Sequence, residues 1–343
     1  MAYTTIPKSS DYFNTKLYTG NGGTQSITSL DFQPDWTWIK NRDGTSWHNL
    51  YDSIRGATKD IYSNATDAEG TNVNRLTSFD SNGFSVGNDT DVNANSTQYV
   101  SWNWLGANGT AANTDGSISS TVSASTTSGF SIVSYTGTGA NATVGHGLGV
   151  APKMIIVKNL TGTTNPWWVY TSTIGAGGQL RLNTTGAEGS DGGVLWNSTA
   201  PTSSVFSVGT NGGSNGSGNP IIAYCFADVQ GYSKFGSYTG NGNADGTFVY
   251  TGFKPAFVMI KNTTTAGTSW TMCDNKRAGY NASNYRLAPN LADVESTSNA
   301  WEMYSNGFKM TSTGSRVNTS GNNYIYMAFA EEPLVGDNPA TAR

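Results

Sequence analysis

Short apolar runs recur along the chain, separated by clusters of Gly, Asn, Ser and Thr. Toward the C-terminus they fall at 248–250, 257–260, 269–273, 285–287, 300–304, 308–311 and 324–330. Runs this short, bounded by turn residues, predict strands. Ser305-Asn306-Gly307 and Ser81-Asn82-Gly83 lie between such runs, and Asn-Gly accepts the positive φ of a tight hairpin. The last run, Tyr324-Ile325-Tyr326-Met327-Ala328-Phe329-Ala330, is apolar at odd and even positions alike. That predicts a central strand covered on both faces. No helical period is sustained; 65–69 and 291–295 are expected as one short helical turn each.

The pattern repeats. Tyr18-Thr19-Gly20-Asn21-Gly22 returns as Tyr135-Thr136-Gly137-Thr138-Gly139 and Tyr238-Thr239-Gly240-Asn241-Gly242. A proline, an apolar strand and a terminal Lys-Asn follow each time, ending at Lys40-Asn41, Lys158-Asn159 and Lys261-Asn262. Asn64 with Glu69, Asn183 with Glu188, and Asn290 with Glu295 keep one spacing. Motifs in one order, three times over, define a tandem repeat. The fold predicted is all-β: three β-sandwich units, jelly-roll or lectin-like, of about 100 residues each. The boundaries drawn are 1–106 for the first unit, 107–127 for a flexible Ser/Thr/Gly-rich linker, 128–228 for a divergent second unit, and 229–343 for the third with a short C-terminal tail. Units of this size have marginal cores. They are expected to pack on one another or on copies of the chain, as a homo-oligomer that could be a trimer. Three units in one chain could also mimic a three-fold arrangement.

Composition narrows the function. Of 343 residues 42 are Gly, charged residues are 12% and aromatics 12%, which excludes a disordered chain. The net charge of −4 without a basic block argues against nucleic acid. No apolar run approaches about 18 residues, so no membrane insertion is expected. The N-terminus lacks the charged and apolar regions of a secretory signal. Two histidines, His48 and His146, leave little for metal or His-based chemistry, and Cys225 and Cys273 sit in apolar runs as buried free thiols. No cofactor, no metal and no catalytic residue is expected.

Some side chains could bind a ligand. Asp-x-x-Arg occurs as Asp52 with Arg55 and Asp274 with Arg277, and is absent from the second unit. It suits either a substrate clamp or an ion pair fixing a loop. The recurring glutamates suit backbone contacts at turns, or paired acids if two units faced each other. Asp89 and Asp91, with Asn88, Asn93 and Asn95, form an oxygen-rich loop that suits Ca²⁺ or a solvated turn. Trp47, Trp167, Trp168 and Trp270 are aligned across the units, near Tyr51, Tyr170 and Tyr280. Sugar rings stack on such faces, with Asp and Arg as hydroxyl partners. A candidate glycan site therefore comprises Trp47, Tyr51, Asp52, Arg55, Trp167, Trp168, Trp270, Asp274 and Arg277; the alternative is that the tryptophans are core.

Several stretches carry a family resemblance, among them Tyr324-Ile325-Tyr326-Met327-Ala328-Phe329-Ala330-Glu331 and Leu76-Thr77-Ser78-Phe79-Asp80-Ser81-Asn82-Gly83-Phe84. Gly231-Tyr232-Ser233-Lys234-Phe235-Gly236-Ser237-Tyr238-Thr239-Gly240-Asn241-Gly242, Gly252-Phe253-Lys254-Pro255-Ala256-Phe257-Val258-Met259-Ile260-Lys261 and Tyr51-Asp52-Ser53-Ile54-Arg55-Gly56-Ala57-Thr58-Lys59 are similar to a repeat domain of predicted virion proteins of tailed bacteriophages, many of them marine. The Pro339-Ala340-Thr341-Ala342-Arg343 terminus resembles it too. The resemblance covers nearly the whole chain and is weakest in the second unit. It implies a virion structural protein, assembled in the host cytoplasm, with other virion proteins as partners. It would be tail- or fibre-associated and would attach to the host surface, with glycans as a possible ligand. The alternative is capsid decoration, or another architectural role with no ligand beyond neighbouring subunits. The resemblance carries over no catalytic residue.

Overall fold

The structure, a computed structural model, describes residues 3–278, 281 and 283–333. It is nearly all β, and every strand pair in its sheets is antiparallel. In the first unit a sheet runs in the order Phe13–Thr19, Gln98–Trp104, Trp36–Asn41, Asn49–Asp52, Lys59–Tyr62, Gly70–Thr71. A sheet of Gln25–Thr28, Gly83–Val86 and Leu76–Asp80 completes that unit. The third unit pairs a sheet of Ser233–Thr239, Asn323–Pro333, Phe253–Asn262 and Thr271–Asp274 with one of Phe248–Tyr250, Gly307–Met310, Ser296–Tyr304 and Ser283–Arg286. The seven strand runs read from the sequence of this unit all correspond to strands.

The closing strand of each unit lies between the first strand and the Lys-Asn strand of its own sheet. Its two faces serve two cores, which is why it reads as apolar throughout. Ile325, Met327 and Phe329 enter a cluster shared by all three units, joined by Val100, Trp102 and Trp104 from the first and Ile222, Tyr224 and Phe226 from the second. The alternate residues Tyr324, Tyr326, Ala328 and Ala330 fill the third unit's own sandwich. Side-chain alternation along a strand produces this division. Aromatic rings cross every seam: Trp36 stacks on Tyr224 at 4.4 Å, Phe13 on Phe329 at 5.0 Å, and Phe226 meets Phe329 edge-on at 6.1 Å. Each such buried side chain contributes about 1.5–3 kcal/mol. The sheets therefore close a ring within one chain around a common apolar centre.

Residues 107–127 are not a flexible linker. Ala111–Asn113 and Ser120–Ser125 are strands, and they extend the second unit's main sheet to the order Ala111–Asn113, Ser120–Ser125, Phe130–Thr136, Pro220–Phe226, Met154–Asn159, Trp168–Thr171, Gly178–Arg181, Gly189–Ser190. Two anchors override the loop-like composition. Ile118 and Val122 are buried in the second unit's core. Upstream, the buried Asp35 carboxylate accepts hydrogen bonds from the N–H groups of Gly106 (2.8 Å) and Asn108 (2.9 Å), while Ser123 Oγ accepts from Ala107 N–H (3.0 Å). The expected helical turns at 65–69 and 291–295 are also absent. Among the described residues the short α-helices are Thr90–Asn93, Gly212–Asn215 and Asn275–Ala278.

The Tyr-Thr-Gly-x-Gly motif is a structural lock. Tyr18, Tyr135 and Tyr238 donate their hydroxyls to the carbonyls of Val92, Ser214 and Val317 at 2.7, 2.6 and 2.6 Å. A Cβ on Gly20, Gly137 or Gly240 would lie 2.1, 2.3 and 2.3 Å from a facing backbone carbonyl oxygen. Gly22, Gly139 and Gly242 have φ of +69°, +75° and +69°, which favours glycine. A fully buried Asn faces each turn: Asn93, Asn215 and Asn318 accept from the N–H of Asn21, Thr138 and Asn241 at 2.9, 2.8 and 3.0 Å. Asn93, placed by sequence in the oxygen-rich loop, serves here instead.

Candidate functional site

The Asp-x-x-Arg residues lie in the seams between units. Asp52 and Asp274 end the strands Asn49–Asp52 and Thr271–Asp274 and are fully buried. Asp52 accepts from Arg55 N–H (2.9 Å), Arg55 Nε (2.5 Å) and the Tyr224 hydroxyl of the second unit (2.7 Å). Asp274 accepts from Arg277 N–H (2.9 Å), Arg277 Nε (2.6 Å) and the Trp102 indole of the first unit (3.0 Å). Burial, reinforced by Asp52, pushes the Tyr224 hydroxyl pKa well above 10. A carboxylate so enclosed holds a loop and a neighbour and has no face for a ligand. Asp52, Arg55, Asp274 and Arg277, and Tyr51, which is also fully buried, are therefore seam and core groups, not glycan partners.

Three further contacts repeat around the ring. The N–H groups of Glu69, Glu188 and Glu295 donate to Leu160, Thr263 and Arg42 at 3.0, 2.9 and 2.9 Å, each in the next unit. Asn64, Asn183 and Asn290 accept from the N–H of His48, Trp167 and Trp270 at 2.9, 3.1 and 3.0 Å. Lys40, Lys158 and Lys261 are fully buried, and burial lowers each pKa to about 8. Their ammonium groups are capped by carbonyls; Lys158 donates to Thr66 (2.9 Å) and Lys261 to Thr185 (3.4 Å) across seams.

This register corrects the alignment of tryptophans. Trp36, Met154 and Phe257 pair with Asp52, Thr171 and Asp274. Counting back along the second strands, His48 matches Trp167 and Trp270, while Trp47 falls opposite Pro166 and Ser269. Trp167 and Trp270 are buried and donate to the carbonyls of Tyr62 (2.8 Å) and Arg181 (2.9 Å) in the preceding unit. The His48 ring takes that place in the first unit, beside the Ala288 carbonyl, although its Nε2 has no well-formed hydrogen bond. Trp168 is buried in the second unit's core, with Arg181 over its ring at 4.7 Å. None of these three indoles offers a stacking face. Tyr280 lies outside the described residues, as does the 339–343 terminus.

Trp47 alone of the predicted tryptophans is exposed, at 42%. It borders a hollow of about 370 Å³ lined by Thr45, Ser46, Trp47, Tyr62, Arg75 and Asp91. Tyr62 meets the indole edge-on at 4.7 Å, and the Arg75 guanidinium lies 5.4 Å from the Tyr62 ring centre. Arg75 is fixed by Asp60 (2.5 Å), Asp91 (2.5 Å) and Asp89 (3.3 Å). Its guanidinium therefore neutralises the acids of the oxygen-rich loop, and Asp89 caps the helix Thr90–Asn93 by accepting from Asp91 N–H at 2.9 Å. Among the described residues no cluster of His, Cys, Asp and Glu is arranged to hold a metal. Tyr62 and Arg75 do not recur in the other units, so the repeat pattern does not point to them; an aromatic and an arginine specific to one copy are the signal the sequence carries.

The chain belongs to the family described as Domain of unknown function (DUF7483), which matches it over residues 8–333. No curated protein matches the chain.

Proposed function

We propose that this member of the family is a bacteriophage structural protein that attaches to host-surface carbohydrate through the Trp47 hollow. The observation that carries the binding reading is the exposed indole with a polar rim: Trp47 beside Tyr62, bordered by Thr45, Ser46, Arg75 and Asp91. The C–H face of a sugar packs on an indole, and hydroxyls bond to fixed charged and polar groups at the rim. Arg75 and Asp91 hold each other in place, so ordering them on binding costs little. The virion assignment rests on the sequence resemblance. Glycan-array screening of the full chain tests the binding: retained signal that Trp47→Ala abolishes supports it, and an array with no signal sinks it.

A second reading has its own observation. The indoles of Trp167 and Trp270 are buried as seam contacts, which favours an architectural subunit with no ligand but its neighbours. Gold-labelled antibody on intact particles separates the two. Label at the tail tip favours attachment; label over the head favours decoration.

A further inference from the structure

The ring is not equally closed. At two seams the recurring glutamate is neutralised. Glu295 pairs with Arg42 of the first unit (2.7 Å) and with Arg277 (2.9 Å); Glu69 pairs with Arg55 (3.4 Å) and Lys59 (3.7 Å). At the seam between the second and third units none of the matching positions carries a cation. By the strand register, Ile174 replaces Arg55 and Arg277, Gly178 replaces Lys59, and Thr263 replaces Arg42. Yet Glu188 remains, and its N–H keeps the seam contact with Thr263 at 2.9 Å. Among the described residues no cationic side chain lies within ion-pair distance of Glu188.

Shortening those side chains leaves space. Two adjoining hollows of about 430 and 370 Å³ share Ile174, Glu188, Thr263 and Asn323. Glu188 is exposed, and the partial burial it has raises its pKa from the ordinary value, with no charge nearby to offset it. Ile174 lines both hollows with an aliphatic side chain, and Thr263, Thr264 and Asn323 supply hydroxyl and amide groups.

We propose that this hollow binds a guanidinium or ammonium group carried on an aliphatic stem, with Glu188 as its counter-ion. The sister seams show the arrangement: the Arg277 guanidinium meets Glu295 at 2.9 Å with its stem inside the seam. The stem would lie along Ile174 and the cation would reach Glu188. Two sources share this chemistry, a free alkyl amine and an arginine side chain presented by another protein.

Isothermal titration of the full chain with agmatine, with Nα-acetyl-arginine N-methylamide and with the uncharged citrulline counterpart of the latter tests the site. Binding of at least one cation, weakened tenfold or more by Glu188→Gln, with the citrulline counterpart tenfold weaker or worse, is the expected result. Agmatine alone binding identifies a free amine; the capped arginine binding as well identifies a presented side chain. Equal binding of charged and uncharged compounds, unchanged binding by Glu188→Gln, or no binding by either cation overturns the proposal. Glu188→Gln removes no ion pair, so it folds as the parent does, and its thermal melt checks this. Ile174→Arg, which refills the seam from within, should abolish binding independently. Trp47→Ala should leave these titrations unchanged, so this site stands or falls apart from the carbohydrate reading.

Discussion

Trp102 donates its indole N–H to the Asp274 carboxylate at 3.0 Å, across 172 residues of chain and a seam between units. Tyr224 does the same for Asp52 at 2.7 Å. Where the second unit has Thr171 in place of the acid, the matching residue on the third unit is Met327, which has no donor. The three seams thus agree residue by residue: acid with donor, acid with donor, and neither. Asp52→Ala should be severe, because it leaves the buried Arg55 guanidinium with only its longer contact to Glu69 (3.4 Å), and breaking a buried pair costs about 3–5 kcal/mol. Tyr224→Phe loses one charge-assisted hydrogen bond and should cost about 1.5–3 kcal/mol. Urea denaturation of both variants checks the order; equal losses would show that the seam does not depend on the ion pair.

The converse applies at the third seam. Thr171→Asp places a carboxylate in a site with no counter-ion and should destabilise by several kcal/mol, as unpaired buried charges do. Adding Ile174→Arg and Met327→Trp should recover most of that loss. A triple variant no more stable than the single one would mean that the seams differ in more than these positions.

Stability should vary with pH in a defined way. The three buried lysines have folded pKa values of about 8 against an ordinary 10.5. Between those values the unfolded chain holds more protons, so stability rises with pH across about 8 to 10, by up to about 1.4 kcal/mol per unit for each group. Burial raises Cys225 and Cys273, and raises Tyr18, Tyr51, Tyr135, Tyr224, Tyr232 and Tyr238 well above 10. There the folded chain holds more protons. The thiols offset part of the gain above pH 9, and stability should fall beyond pH 10. On the acid side, burial lowers His48 and His146 from 6.5, so stability declines as pH falls below that value and the unfolded histidines take up protons. Melting temperature scanned from pH 5 to 11 should peak near 9 to 10. Lys40→Met, Lys158→Met and Lys261→Met combined should flatten the rise; an unchanged rise would assign it to other groups.

Glycine substitutions separate the turn lock from ordinary turns. Gly240→Ala brings a Cβ against the Thr319 carbonyl oxygen and should cost more than about 2 kcal/mol, as backbone clashes do. Gly212→Ala, in a short helix with open space around it, should be neutral within about 0.5 kcal/mol or slightly stabilising. Thermal melts of the two variants decide. Similar effects would mean that the turn relaxes around the added methyl.

Much of the fold is readable from local pattern. The strands of the third unit follow from apolar runs between turn signals, and the two-faced closing strand follows from the missing alternation of Tyr324 to Ala330. The Asp-x-x-Arg loops are legible as ion pairs because the spacing suits one. Residues 107–127 are misread because Ser, Thr and Ala carry no pattern of their own there; Asp35, far away in sequence, orders the entry. The tryptophans are misread for a related reason. Trp47 and Trp167 look alike until the pairing of Trp36 with Asp52 and of Met154 with Thr171 sets the register, and then one is outside and the other in a seam. The Trp47 hollow depends on Arg75 reaching Asp60, Asp89 and Asp91, a relation that only tertiary structure reveals.

The ring of three sheets is written once, in a single chain. A trimer of identical subunits would carry every substitution at all three seams, and a change tolerated at one would have to be tolerated at the others. Here each seam has its own codons. The second unit can have Thr171, Ile174 and Gly178 at one junction while the other two have their ion pairs, and the first unit can place an indole on the surface where its siblings have Pro166 and Ser269. Covalent tandem linkage thus frees a three-fold scaffold to specialise one corner at a time.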